Sequence, residues 1–340
     1  MEALHRLSGA RFELFTSSPR WFYDESVQGL YRYYEVVTDV GFRQRSALVH
    51  DVGATAEALS ALVPFDDELV DGLALEVKRA ECRAVLCDIA PLGIAVAERA
   101  GLPSVLVENF TWPWLYEPHF EEAPALVAIS RELEDWFRRA TVHVQTEPLC
   151  LRDEGTDLHV PPIGRRVRRS REDVRAAMGV AVNAPMVVLT MGGMPEDLPF
   201  LERLGVWPGI TFVVTGVDRT GVEGNVHAFD NATRIYMPDL VHAADGVVAK
   251  LGYSTIAEVW REGRPMAYVT REDSRETEPV REWVQREMTG FEIPGRDFAG
   301  GAWIGRIPDL LALPSGARDG EVREGGADAV ARVVLELLRG

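Results

Sequence analysis

Strand-length apolar runs and longer stretches with helix-like apolar spacing alternate along almost the whole chain. That is the pattern of a parallel α/β architecture. In the first half, 1–8 predicts a helix, and R-F-E-L-F-T (11–16) and Y-R-Y-Y-E-V-V (31–37) predict strands. Residues 52–78 hold one long amphipathic helix or two, with Pro64 as the break. A strand at 84–88, a helix over Pro91–Ala100 and a strand over Ser104–Glu108 follow, with G-L-P (101–103) turning helix into strand. Residues 121–140 read as largely helical and 141–145 as a short strand.

V-P-P-I-G (160–164) reads as a linker, and the run R-R-V-R-R-S-R (165–171) follows it directly. Ser170 is a plausible helix N-cap, with Asp173 in the first turn and Gly179 ending the helix. A second alternating set then begins. It has a strand at Met186–Thr190, a turn at Gly192–Gly193, strands at 211–215, 246–249 and 265–269, and a strong final helix over 326–338. The two halves share an architecture but no readable internal repeat.

The segment I-Y-M-P-D-L-V-H-A-A-D-G-V-V-A-K-L-G-Y-S-T-I-A-E (235–258) carries the most specific chemistry. A buried strand opens into a small-residue turn at Gly252–Ser254, and a helix follows with Glu258 just inside it. A helix N-terminus offers unpaired N–H groups and a positive dipole end to phosphates. A carboxylate just behind can grip two ribose hydroxyls. The unit therefore reads as half of a nucleotide-binding site.

Composition narrows the alternatives. The chain has 340 residues and 46% apolar content, enough for two domains with full-sized cores. No apolar run approaches the roughly twenty residues that span a bilayer, and no export signal is visible at the start. The 3 cysteines, Cys82, Cys87 and Cys150, form no C-x-x-C, which suggests buried thiols in a reducing cytoplasm. A net charge of −17 opposes nonspecific binding to nucleic acid or anionic lipid. Within that acidic chain the 165–171 run reads either as a solvated linker or as a source of one arginine for a diphosphate. Zincin, Walker A and nucleophile-elbow motifs are absent, and no His/Asp cluster suggests a metal.

The pattern Gly252, Thr255, Glu258 with a downstream E-T-E-P resembles the donor half of GT-B glycosyltransferases. These include the peptidoglycan N-acetylglucosaminyltransferase and the UDP-glycosyltransferases. More specifically, D-V-G-F-R-Q-R-S-A-L (39–48), S-V-L-V-E-N-F-T-W (104–112), S-R-E-D-V-R (170–175) and K-L-G-Y-S-T-I-A-E (250–258) resemble the glycosyltransferase-like N-terminal domain of L-arabinokinase. The resemblance implies two Rossmann-like domains facing across a cleft. It places an acceptor domain at 1–163 and a nucleotide-sugar donor domain at 164–325, with a helix at 326–340 packing back on the first domain. The phosphate loop of sugar kinases is missing, so arabinokinase activity is not expected.

The same resemblance exposes a departure. Relatives place a first strand and a G-H-G-x-G-H loop before the first helix, and that loop is where they are thought to set a catalytic histidine. This chain starts inside the helix. Four buried apolar side chains at ~1.5–3 kcal/mol each make such a strand worth roughly 6–12 kcal/mol, against a domain stability of about 5–15 kcal/mol. An upstream start codon is the favoured expectation. The alternatives are another strand filling the gap or a poorly folded half.

The candidate donor-binding residues are Gly192, Gly193, Lys250, Gly252, Ser254, Thr255, Glu258, Glu276 and Glu278. Glycines after a buried strand let backbone approach a diphosphate, though an ordinary strand-to-helix turn reads the same way. Glu258 could equally be an exposed helix carboxylate, Lys250 a snorkelling side chain, and Glu276 and Glu278 a charged loop and helix start. On the acceptor side, Asp88, Asn109 and Trp112 follow strands at the rim where α/β ligands bind. Trp112 and Trp114 suit a sugar face or plain core. Asp88 or His119 is a weaker candidate for a general base.

The expected function is transfer of a sugar from a nucleotide-diphosphate sugar, with uridine as the base by analogy, to an unknown acceptor hydroxyl. No metal or other cofactor is expected. A non-catalytic nucleotide-sugar binding module is the alternative, and a nucleotide-sugar epimerase a third.

Overall fold

The structure is a computed structural model. It describes every residue except 28–30, 47–48, 193–197, 271–273, 317–322 and 340. Two compact units divide the chain, one formed by 1–45, 50–161 and 326–340, the other by 46–49 and 162–325.

In the first unit, strands Val85–Asp88, Ser104–Glu108, Val142–Thr146 and Leu158–Val160 form a four-stranded sheet in sequential order, every pair parallel. Helix Pro91–Ala100 supplies the first right-handed crossover the order requires; Leu92, Ile94, Ala95 and Ala97 on it are each at most 2% exposed. The stretch 52–78 resolves into two helices, Val52–Leu62 and Asp67–Arg79. Asp51 caps the first through the Ala54 N–H at 3.0 Å, and Asp66 caps the second through the Leu69 N–H at 3.4 Å. Helix Ala327–Leu337 buries Val330, Ala331 and Val334 against Ala3, Leu4, Val105, Val144 and Val160.

Strands Phe12–Thr16 and Tyr31–Glu35 pair with each other, parallel, as a separate two-stranded sheet. Among the described residues no strand joins them to Val85–Asp88. The two sheets nonetheless share their helix layers. Phe15 packs with Val70, Ala74 and Leu92, and Phe12 packs with Ala3, Leu4 and Val105. The break sits where the sequence reading lacks a central strand, and no described strand has moved in to fill it.

The second unit holds seven strands, in the order Gly221–Glu223, Val226–Asp230, Thr211–Val217, Met186–Thr190, Gly246–Lys250, Met266–Val269, Gly290–Glu292. All pairs are parallel except the first, which is antiparallel. Met186–Thr190 is buried along its whole length, and Gly246–Lys250 is buried up to Lys250. Their unbroken apolar character follows from helices covering both faces of the sheet. The strand order runs outward one way from Met186–Thr190 through Thr211–Val217, and the other way from Gly246–Lys250. This reversal is the topological switch point, outside whose strand C-termini α/β proteins bind ligands.

The sequence pattern did not single out the three-residue strands Val49–Asp51, Leu158–Val160, Gly221–Glu223 and Gly290–Glu292, nor the longer Arg43–Ser46 and Val226–Asp230. Three residues carry too little alternation to be read without their partners.

Candidate functional site

At the switch point of the second unit, Ala249 is paired with Thr190, so both chains leave the sheet at the same level. Gly192 follows with φ +91°, a conformation that favours glycine, and a side chain built there would come 3.7 Å from the Lys250 Nζ. Gly192 and Lys250 are thus brought together. Gly193 lies outside the described residues. Gly252 opens helix Tyr253–Glu262, and a side chain built on it would meet nothing within 4 Å. The first intrahelical bond is donated by Ile256 to Gly252 O at 2.9 Å. The N–H groups of Ser254 and Thr255 therefore precede the hydrogen-bonded body of the helix.

Glu258 is not an exposed helix carboxylate; it is 4% exposed. Arg165 donates from Nε to its Oε1 at 2.8 Å. Burial pushes the Glu258 carboxyl up from its ordinary value, and the Arg165 charge and hydrogen bond pull the other way. Glu276 is the N-cap residue of helix Thr277–Glu287. Glu278 pairs with Arg281 one turn on, and Arg281 also reaches Glu292 Oε2 at 3.1 Å. Glu292 in turn accepts from the Thr270 hydroxyl at 2.7 Å.

The arginine run is exposed at Arg168 and Arg169 but is anchored to the rest of the unit. Besides the Arg165 bond, the Arg168 and Arg169 N–H groups donate to Asp239 Oδ1 at 2.7 and 3.3 Å. Arg171 donates to the carbonyls of Ala243 and Ala244 at 2.8 and 2.9 Å and pairs with Asp245. The Arg168 guanidinium lies 4.0 Å from the centre of the Tyr236 ring. Charge counting along the sequence saw only the cations; their partners come from 68 to 93 residues away. Ser170 caps the next helix as read, accepting from the Asp173 N–H at 3.1 Å.

The acceptor-side candidates belong to the first unit. Asp88 ends its strand, and the next residue, Ile89, has φ +52°. A β-branched residue there is strained. It is held by its N–H bond to Val107 O at 3.1 Å and by the Trp112 indole N–H, which donates to Ile89 O at 3.0 Å. Asp88 keeps exposed surface, yet the enclosing protein still desolvates its carboxyl and pushes it up. Asp39, which sequence reasoning used only as part of a family motif, sits close enough to feel Asp88. Burial first, then the Asp88 charge, pushes Asp39 up to about 6. No sequence spacing links residues 49 apart; their juxtaposition is purely tertiary.

The other acceptor-side residues serve the scaffold. The Asn109 amide donates to Thr146 O at 2.7 Å and Pro148 O at 3.2 Å, fixing the loop after Val142–Thr146. Trp112 is half-buried, stacks on Tyr116 with ring centres 6.0 Å apart and abuts Gly41. His119 packs edge-on to Phe42 and lies 3.7 Å from Glu122. The thiols of Cys82, Cys87 and Cys150 are free, and burial pushes Cys87 up to about 12. Among the described residues no group of three or more His, Cys, Asp or Glu could hold a metal ion, and no helix is long and apolar enough to cross a membrane.

No family model matches the chain. L-arabinokinase of Arabidopsis thaliana is 25% identical over 311 residues, which cover 90% of this chain and 30% of that protein. The chain thus spans under a third of that relative's length. Among solved structures, the glycosyltransferase of kitacinnamycin superposes with a TM-score of 0.60 at 17% identity, covering 99% of this chain and 94% of the other. Phytolacca americana UGT2, solved with UDP-2-fluoro-glucose and pterostilbene, gives a TM-score of 0.59 at 10% identity, covering 96% and 92%. Matched over nearly its full length, with parallel sheets in both units, the chain has the GT-B fold of the glycosyltransferases.

Proposed function

We propose that this chain binds a nucleotide-diphosphate sugar at the switch point of its second unit and transfers the sugar to an acceptor hydroxyl. The observation that carries the reading is the convergence of Gly192, Lys250 and the Gly252-led helix start at the C-terminal ends of two adjacent buried strands. Backbone at Gly192 can approach a diphosphate without a side chain in the way, and the Lys250 ammonium is a point charge for it. The N–H groups of Ser254 and Thr255 add the helix dipole, which favours the departing diphosphate. Glu258 then takes the ribose hydroxyls, and Glu276 and Glu278 face the sugar. Uridine is the proposed base, on the analogy of UGT2 and its UDP-sugar ligand.

Asp88 is the acceptor-side group whose chemistry fits best. A carboxylate with a raised pKa at the end of a sheet strand is suited to take a proton from a hydroxyl. The alternative, a nucleotide-sugar binder without transfer, is favoured by the other acceptor-side candidates: the Asn109 amide is committed to backbone carbonyls, and the Trp112 indole N–H to Ile89 O and the Asp39 carboxyl.

Calorimetric titration with UDP, GDP, dTDP and UDP-glucose tests the donor site. Glu258→Gln should weaken UDP binding at least ~tenfold with the fold intact, the loss of one or two charge-assisted bonds. Unchanged affinity would remove Glu258 from the site. Release of UDP from UDP-glucose, with and without added alcohols, then separates transfer or hydrolysis from binding alone.

A further inference from the structure

We infer that Arg165 is a positioning residue for nucleotide binding: its guanidinium aims the buried Glu258 carboxylate and favours its charged form, so that the chain segment leading into the second unit sets the strength of the ribose contact. The inference rests on the donor-site reading and adds to it a residue that does not itself touch the ligand.

The geometry is specific. Glu258 is buried on the helix that opens at Gly252, and a buried carboxylate favours its neutral form unless a cation faces it. Arg165 supplies that cation from Nε at 2.8 Å. Its own side chain is 21% exposed and lies 5.2 Å from the centre of the Tyr236 ring. Tyr236 is fixed in turn by its hydroxyl, which donates to Arg166 O at 2.8 Å, and by Arg168 stacked at 4.0 Å. Arg261, on the same helix as Glu258, points Nη1 at the carbonyls of Gly164 and Arg165, at 3.5 Å each.

Gly164 explains how the segment comes close enough. A side chain there would sit 3.2 Å from the backbone carbonyl atoms of Ala257 and 3.4 Å from the Glu258 nitrogen. Backbone packs directly on helix backbone at the residue before Arg165. The arginine is thereby delivered to one carboxylate oxygen in a fixed direction, and a neutral Glu258 would lose the charge that strengthens a bond from a ribose hydroxyl.

The test compares UDP affinity of wild type, Arg165→Gln, Arg165→Lys, Glu258→Gln and the Arg165→Gln/Glu258→Gln double variant, at matched pH so that the nucleotide's own ionisation cancels. Folding is checked by circular dichroism. Arg165→Gln should bind at least ~tenfold more weakly than wild type at the acidic end of a pH series, with the gap narrowing as pH rises and Glu258 ionises again. Glu258→Gln should show no such recovery, the double variant should be no weaker than Glu258→Gln alone, and Arg165→Lys should restore most of the affinity. If Arg165→Gln does not fold, Arg165→Lys carries the comparison: it keeps the charge but not the fixed fork, so it should bind more weakly than wild type. A wild-type-like profile in both Arg165 variants overturns the inference. So does a pH-independent loss in Arg165→Gln that adds to that of Glu258→Gln, because Arg165 would then contact the nucleotide itself. A wild-type chain that binds UDP at no pH overturns the donor-site reading, and the inference with it.

Discussion

Asp39 is partly desolvated and feels the charge of Asp88, which has a consequence for stability. Asp39 has its pKa raised from 3.8 to about 6. A carboxyl raised in the fold binds more protons there than in the unfolded chain between those two values. Its contribution therefore weakens stability as pH rises through that window, and the penalty is complete above about pH 6. A shift of about two units corresponds to at most roughly 3 kcal/mol. Asp39→Asn should therefore be more stable than wild type above about pH 7, with the advantage fading toward about pH 4. Urea denaturation across that range checks it, and equal stabilities at every pH would exclude the effect. Because the Asp88 charge is one of the causes that raise Asp39, Asp88→Asn should lower the Asp39 pKa, which carboxyl NMR can follow. Glu258 shows the same physics with a counterweight: burial raises it, and Arg165 opposes the rise without cancelling it. The sequence displayed Glu258 at the right spacing from Gly252, but its burial and its partner 93 residues away were not readable there.

At the scale of elements, Arg171 and Arg175 work with Asp245 as a stitch. Arg175 is 1% exposed and donates to Ala243 O at 2.8 Å and Asp245 Oδ2 at 3.3 Å. The same carboxylate accepts from the Met186 N–H at 2.8 Å and pairs with Arg171. Arg175 thus joins its helix, Arg171–Ala177, to the end of helix Met237–Ala243, and the start of strand Met186–Thr190 is tied to both by the Asp245 carboxylate. Removing it leaves a buried guanidinium without its counter-charge, so Asp245→Ala should cost about 3 kcal/mol or more. Thermal melting reads this directly; a loss under about 1 kcal/mol would mean that the backbone carbonyls alone satisfy Arg175. Helices were readable from sequence because their signals are local: Ser170 as a cap, Pro64 as a break. The stitch was not, since its acidic partners lie on other elements.

For the whole molecule, a ligand that binds only the native state stabilises it by mass action. UDP at a hundred times its dissociation constant should add about 2.7 kcal/mol, and the melting transition should rise with concentration. A calorimetric transition that stays fixed as UDP increases would exclude a native donor site. The net charge of −17 means that any nucleotide site must concentrate its donors locally. In the proposed donor site, Lys250 stands beside Gly192 at the strand reversal. Sequence by itself determined the alternation of strands and helices, the helix caps and the glycine turns, because periodicity and capping act within a few residues along the chain. It also determined the small-residue opening of the Gly252 helix. Only tertiary structure decided which strands meet at the switch point, that Asp39 faces Asp88, and that Arg165 claims Glu258. Those depend on how distant segments share one desolvated space, and the energy of a charge is set by that space rather than by its neighbours in sequence.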